Sequence, residues 1–84
     1  GTVNLSSNTS YRGFLVVTID TDNAICTFAV KGAGGSVAEL NDDSGVCSTT
    51  SGTANSMNVY YTGALYQVEN RRGGARNITY NLYD

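Results

Sequence analysis

FLVVTIDTDNAICTFAV, residues 14–30, is the stretch on which the fold turns. Two runs rich in β-branched and aromatic residues flank Asp20-Thr21-Asp22-Asn23, and both alternate with a period of two rather than with a helical period. In the first run Phe14 and Val16 alternate with Leu15, Val17 and Ile19. Apolar groups therefore stand on both faces, and a central strand buried on two sides is predicted. In the second run Cys26, Phe28 and Val30 share one face against Ile25, Thr27 and Ala29. Asp and Asn side chains satisfy turn backbone and tolerate left-handed conformations, so the polar cluster reads as the turn of a hairpin.

The same alternation extends outward in both directions. Strands are expected at residues 3–6, 36–40, 46–49, 56–61, 64–69 and 76–83. The last of these places Ile78, Tyr80 and Leu82 on one face. Gly32-Ala33-Gly34-Gly35, Asn41-Asp42-Asp43-Ser44-Gly45, Ser51-Gly52 and Thr62-Gly63 break the chain between them. Residues 37–41 are the one helical candidate, too short to stand alone. Seven to eight short strands with regular turn signals describe an all-β chain, a small antiparallel sandwich or barrel, and residues 1–84 read as a single domain.

Composition bounds the setting. Charged residues make up 14% of the 84, His and Trp are absent, and Gly, Ser, Thr, Asn and Tyr dominate, as on extracellular surfaces. Cys26 and Cys47 are either a disulfide or two free thiols, and the extracellular character decides for the disulfide. Closing a loop of about 20 residues is worth about 3 kcal/mol, a large share of the stability so small a core can supply. The net charge of −2 argues against nucleic-acid binding, which needs a basic surface. No apolar run reaches the length of a membrane span or a leader, so neither is expected, and if the protein is secreted this sequence is its mature form. Sequons stand at Asn4, Asn8 and Asn77.

Tyr11-Arg12-Gly13-Phe14-Leu15 and Tyr61-Thr62-Gly63-Ala64-Leu65 share the pattern Tyr-x-Gly-x-Leu, fifty residues apart. The segment VNLSSNTSYRG, residues 3–13, resembles the opening of a βγ-crystallin Greek key, with an aromatic-x-Gly whose glycine takes a conformation closed to other residues. Ser36-Val37 falls where that motif places its Ser before a closing strand, and Tyr61-Thr62-Gly63 would open a second key. FLVVTIDTDNAICTFAVKGAGG is similar in layout to small secreted killer-toxin-like and streptomycete antifungal members of that fold. The resemblance implies two Greek keys and action by binding a cell-wall or membrane component. The family's calcium signature is incomplete at Asn41-Asp42-Asp43-Ser44, so no metal is expected.

Chemistry follows from what is missing. Without histidine there is neither the commonest general base nor the usual activator of a nucleophile, and two thiols alone cannot complete a zinc site. Asp42 and Asp43 are adjacent and read as turn formers. No catalytic residue, cofactor or metal is expected. Two sets remain as binding candidates. Tyr61 and Tyr66 belong to six tyrosines that are either a platform for sugars and protein partners or amphipathic filler of a half-wet sheet. Arg71, Arg72 and Arg76, in YQVENRRGGARNITY, crowd a Gly-rich loop that reads as a hairpin tip. They converge on a carboxylate, sulfate or phosphate, or simply solvate the tip, with Glu69 pairing one of them.

The functional expectation is a secreted, non-enzymatic recognition protein of toxin, antifungal or effector type that binds an extracellular glycan, a cell-wall component or a host protein surface. The alternative is a structural subunit of a filament, pilus or adhesin, self-associating through an edge strand such as residues 3–6. A protease inhibitor with Arg71-Arg72 as bait is the third reading.

Overall fold

The computed structural model describes residues 1–6 and 11–84; the sequon at Asn8 and the centre of the 3–13 motif lie outside them. Eight strands form two four-stranded sheets, joined by one disulfide, Cys26–Cys47. They are β1 (Thr2–Ser6), β2 (Arg12–Ile19), β3 (Ala24–Lys31), β4 (Val37–Asp42), β5 (Cys47–Ser48), β6 (Met57–Tyr61), β7 (Tyr66–Asn70) and β8 (Ile78–Tyr83). Sheet I has the order β1-β7-β6-β5 and sheet II the order β4-β3-β2-β8. Each sheet thus takes three consecutive strands from one half of the chain and a single strand from the other. All pairs are antiparallel except β5 with β6.

The opening hairpin forms as its alternation requires. Its turn is a 3₁₀ turn at Asp20–Asp22, closed by Asn23 in the left-handed region at φ 51°. The register runs without a break from Arg12↔Lys31 to Ile19↔Ala24. Leu15, Val17 and Ile19 from β2 and Ala24, Cys26, Phe28 and Val30 from β3 are buried against Met57, Val59, Tyr66 and Val68 of sheet I.

One expectation about this region is corrected. β2 is central in its sheet, but only its odd-numbered face is buried, because among the described residues no third layer covers the other. Phe14 is 56% exposed. The strand expected at 36–40 forms as β4, because pairing of Val37 and Ala38 with Val30 and Ala29 supplies partners that an isolated turn of helix over 37–41 lacks.

Tyr66, half of the tyrosine platform expected from the sequence, is completely buried at the centre of the sandwich. Its hydroxyl donates to the Gly32 carbonyl, while Tyr61 and Tyr11 pack on its ring at centroid distances of 4.8 and 5.5 Å. Gly35, at φ 64°, lies under Tyr61; a Cβ there would stand 2.7 Å from the ring. The Tyr-x-Gly-x-Leu copies do not occupy equivalent positions. Gly13 lies within β2, whereas Gly63 lies in the turn between β6 and β7.

The largest correction concerns YQVENRRGGARNITY. It is not a hairpin: β7 belongs to sheet I and β8 to sheet II, so residues 71–77 cross between the layers. No alternation within β7 or β8 encodes that separation. β8 is instead recruited by β2, with Leu82, Tyr80 and Ile78 opposite Leu15, Val17 and Ile19.

Candidate functional site

The crossover and its arginines are held by the hairpin turn of sheet II. Asp20 N donates to Asn77 O at 2.9 Å, and Asn77 N donates to Thr21 Oγ1 at 2.9 Å. Asp22 Oδ2 accepts from both Arg72 Nε and Arg76 Nε at 3.0 Å. Arg72 also donates to Asn55 O at 2.8 Å, and Arg76 donates to the carbonyls of Arg72 and Ala75. The hydrogen bond from Arg72, with Arg76 beside it, holds the Asp22 carboxyl below its usual value. Two of the three arginines therefore converge as expected, but on a residue of the protein itself. Arg72, read as inhibitor bait, cannot enter a protease pocket without breaking this clasp.

Arg71 points outward, its side chain 54% exposed, and meets Glu69 Oε2 at 3.3 Å, the pairing expected for one of the arginines. Glu69 itself is buried. Asn58 Nδ2 and Gly52 N donate to its Oε1 at 3.0 and 2.7 Å and, with Arg71, hold its carboxyl below the usual range.

These contacts also decide what the outward face of sheet I can do. The residue 49–56 loop lies over Asn58 and Glu69, with Asn58 donating to Thr53 O. Next along the strands, Tyr60 donates to Gln67 and Gln67 donates to Asn4, a ladder across three strands. Its hydrogen-bonding groups are committed to one another.

The outward face of sheet II is the opposite case. Cross-strand register places Tyr83, Phe14, Ala29 and Ala38 in one row, Asn81, Val16, Thr27 and Asn41 in the next, and Thr79, Thr18 and Ile25 in a third. Phe14 and Tyr83, direct partners, are 56% and 58% exposed, and Ile25 and Leu40 are also exposed. Among the described residues, no side chain of these three rows is tied up in an intramolecular hydrogen bond or ion pair. Above the aromatic row, Arg12 stands directly opposite Lys31. The remaining basic residues are the three of the crossover, each in an ion pair.

Sequence reasoning passed over this face because Phe14 and Val16 look like a second buried side. A signal was nevertheless present. A turn centred on residues 20–23 pairs positions whose numbers sum to 43, which brings Arg12 to Lys31 as it brings Ile19 to Ala24.

Two other features carry less chemistry. Cys26, Asp42 and Cys47 have metal-ligand side chains close together, but the sulfurs are joined and Asp42 accepts the backbone N–H groups of Val46 and Cys47 at 3.0 Å. A cleft of about 250 Å³ beside the crossover has Val3, Met57, Val68 and Ile78 in its lining, and its Asn70 and Arg76 are already committed. No helix among the described residues is long and apolar enough to cross a membrane. Comparison with known proteins found no family model, no curated protein and no solved structure that matches this chain.

Proposed function

We propose that this is a secreted, non-enzymatic recognition domain of the toxin, antifungal or effector kind, and that it binds a glycan of a cell wall or cell surface through the outward face of sheet II. One contrast carries the reading. On sheet I the side chains of Asn4, Gln67, Tyr60 and Glu69 are hydrogen-bonded to one another or to the 49–56 loop, whereas sheet II presents uncommitted hydroxyls and amides interleaved with exposed Phe14, Tyr83 and Ile25. Interleaved apolar and hydrogen-bonding groups on a flat surface suit a sugar, which offers an apolar ring face and hydroxyls at its rim. A protein-docking patch is expected to have a more continuous apolar centre. The disulfide and the composition support an oxidising, extracellular setting. The test is retention on immobilised cell-wall polysaccharides by the native protein and by Phe14→Ser/Tyr83→Ser. Loss of retention with an unchanged melting temperature supports this face, and equal retention removes it.

A second reading, a subunit of an extracellular assembly, is favoured by β8. Of the four sheet edges, β5 is two residues long, and β1 and β4 carry irregularities at Asn4/Ser6 and opposite Thr27/Phe28. β8, ITYNLY, pairs regularly with β2 over its whole length, has neither charge nor proline, and leaves its other edge open. Such an edge is a template for another strand.

A further inference from the structure

Arg12 and Lys31 are an arrangement that folding does not favour. Like charges directly opposite on neighbouring strands repel, and neither has a carboxylate within ion-pair distance among the described residues. The undescribed residues 7–10, Ser-Asn-Thr-Ser, contain no acid that could neutralise them. Among the described residues, exposed Glu39 on β4 stands opposite Phe28 and makes no ion pair to either cation. Asp43 accepts from Ile25 N at 3.1 Å at the opposite end, and Asp84 follows Tyr83 without an ion pair to either cation. An acidic chain of net charge −2 thus carries its two uncommitted cations side by side, next to its two most exposed aromatic rings.

Residues two apart on a strand stand about 7 Å from each other, so the cation pair lies roughly one sugar unit from the Phe14 and Tyr83 row. We infer that the glycan taken by this face is an anionic polysaccharide: sugar rings lie on Phe14 and Tyr83, and Arg12 with Lys31 receives the carboxylate or sulfate substituents of the same chain. Arg meets such groups in bidentate fashion and Lys as a point charge. This rests on the reading of sheet II as the binding face and adds the class of its ligand. A second copy is a poorer occupant, because an isologous contact would bring the same two cations, with carboxylates only at the ends of the face. A nucleic acid is disfavoured by the net negative charge of the whole protein.

The experiment measures binding of the oxidised protein to polygalacturonate, dextran sulfate, neutral dextran, cellulose and poly-glutamate over a range of salt. Expected is salt-sensitive binding to at least one of the two anionic polysaccharides, well above that to the neutral glycans and to poly-glutamate. Arg12→Ser/Lys31→Ser should weaken it by about tenfold or more, and Arg12→Lys, which keeps the charge and loses the bidentate fork, should weaken it less than the double variant does. Melting temperatures should not fall, since both side chains are exposed and mutually repulsive. Binding to a neutral glycan that the double variant leaves untouched overturns the inference while sparing the binding face. Binding to none of the polysaccharides overturns both. Equally strong binding to poly-glutamate overturns the glycan in favour of an acidic protein.

Discussion

Arg72 Nε meets Asp22 Oδ2 at 3.0 Å across fifty residues of chain, and this contact converts a basic loop into a clasp between two sheets. Arg76 closes on the same oxygen. Serine at 72 and 76 should therefore lower the melting temperature and leave polysaccharide retention intact, whereas serine at 71, which removes one exposed ion pair, should lower it far less and also leave retention intact. Thermal melts beside a retention assay check this. Lost retention at unchanged stability would return the loop to the binding surface.

The clasp also makes stability depend on acid. Asp22 in the folded protein releases its proton more readily than in the unfolded chain, first because Arg72 hydrogen-bonds the carboxylate, with Arg76 adding to it. A depressed acid stabilises fully above its ordinary value, about 3.9, and its contribution disappears as pH falls through the folded-state value. Glu69 has the same sign, through Asn58 first and then Gly52 and Arg71. Urea midpoints should fall steeply below about pH 4. Asp22→Asn should be less stable at pH 7 and show a shallower acid slope; an unchanged slope would exclude the clasp as its source.

Reduction of Cys26–Cys47 should cost about 3 kcal/mol, because the bond closes a loop spanning 21 positions and removes unfolded-state freedom. The bond also ties the core of sheet II to β5 at the rim of sheet I. Denaturation with and without a reductant that leaves the backbone intact gives the difference directly.

Tyr66→Phe should destabilise by about 1 kcal/mol, since it removes one of the two hydrogen bonds to the buried Gly32 carbonyl, which keeps the Gly35 N–H at 2.9 Å. Burial first, and then neighbouring Tyr61, raise the Tyr66 phenol above its ordinary value. A raised acid favours its neutral form, so this contribution holds below about pH 10 and is lost as pH rises through the folded-state value. In an ultraviolet phenolate titration, Tyr66→Phe should remove part of the highest-pH phase.

Gly13→Ala should release β8. Gly13 sits at φ 126°, and a Cβ would lie 2.4 Å from the Tyr83 carbonyl oxygen. The expected cost is about 2 kcal/mol or more, with faster amide exchange in β8 than in β3. If the second reading holds, sedimentation velocity of the native protein will show concentration-dependent association that Thr79→Lys or Asn81→Lys suppresses. A monomer at millimolar concentration excludes assembly through β8.

Much of the architecture was legible in residue order, because a strand is a local object. Period-two alternation in residues 14–30 marks the strands, Asp20-Thr21-Asp22-Asn23 marks their turn, and the two cysteines in an extracellular composition mark the staple. What the order alone could not carry is which sheet each strand joins and which face each sheet turns outward, since both depend on partners far along the chain. Val68 and Ile78 read as one hairpin until β2 claims β8, and Tyr66 reads as a surface ring until Gly32, Tyr11 and Tyr61 enclose it. The arginines of residues 71–76 read as a binding knob until Asp22 engages two of them. Tertiary packing thereby moved the free positive charge from the loop where it is densest in sequence to Arg12 and Lys31, where cross-strand pairing gives neither cation a partner.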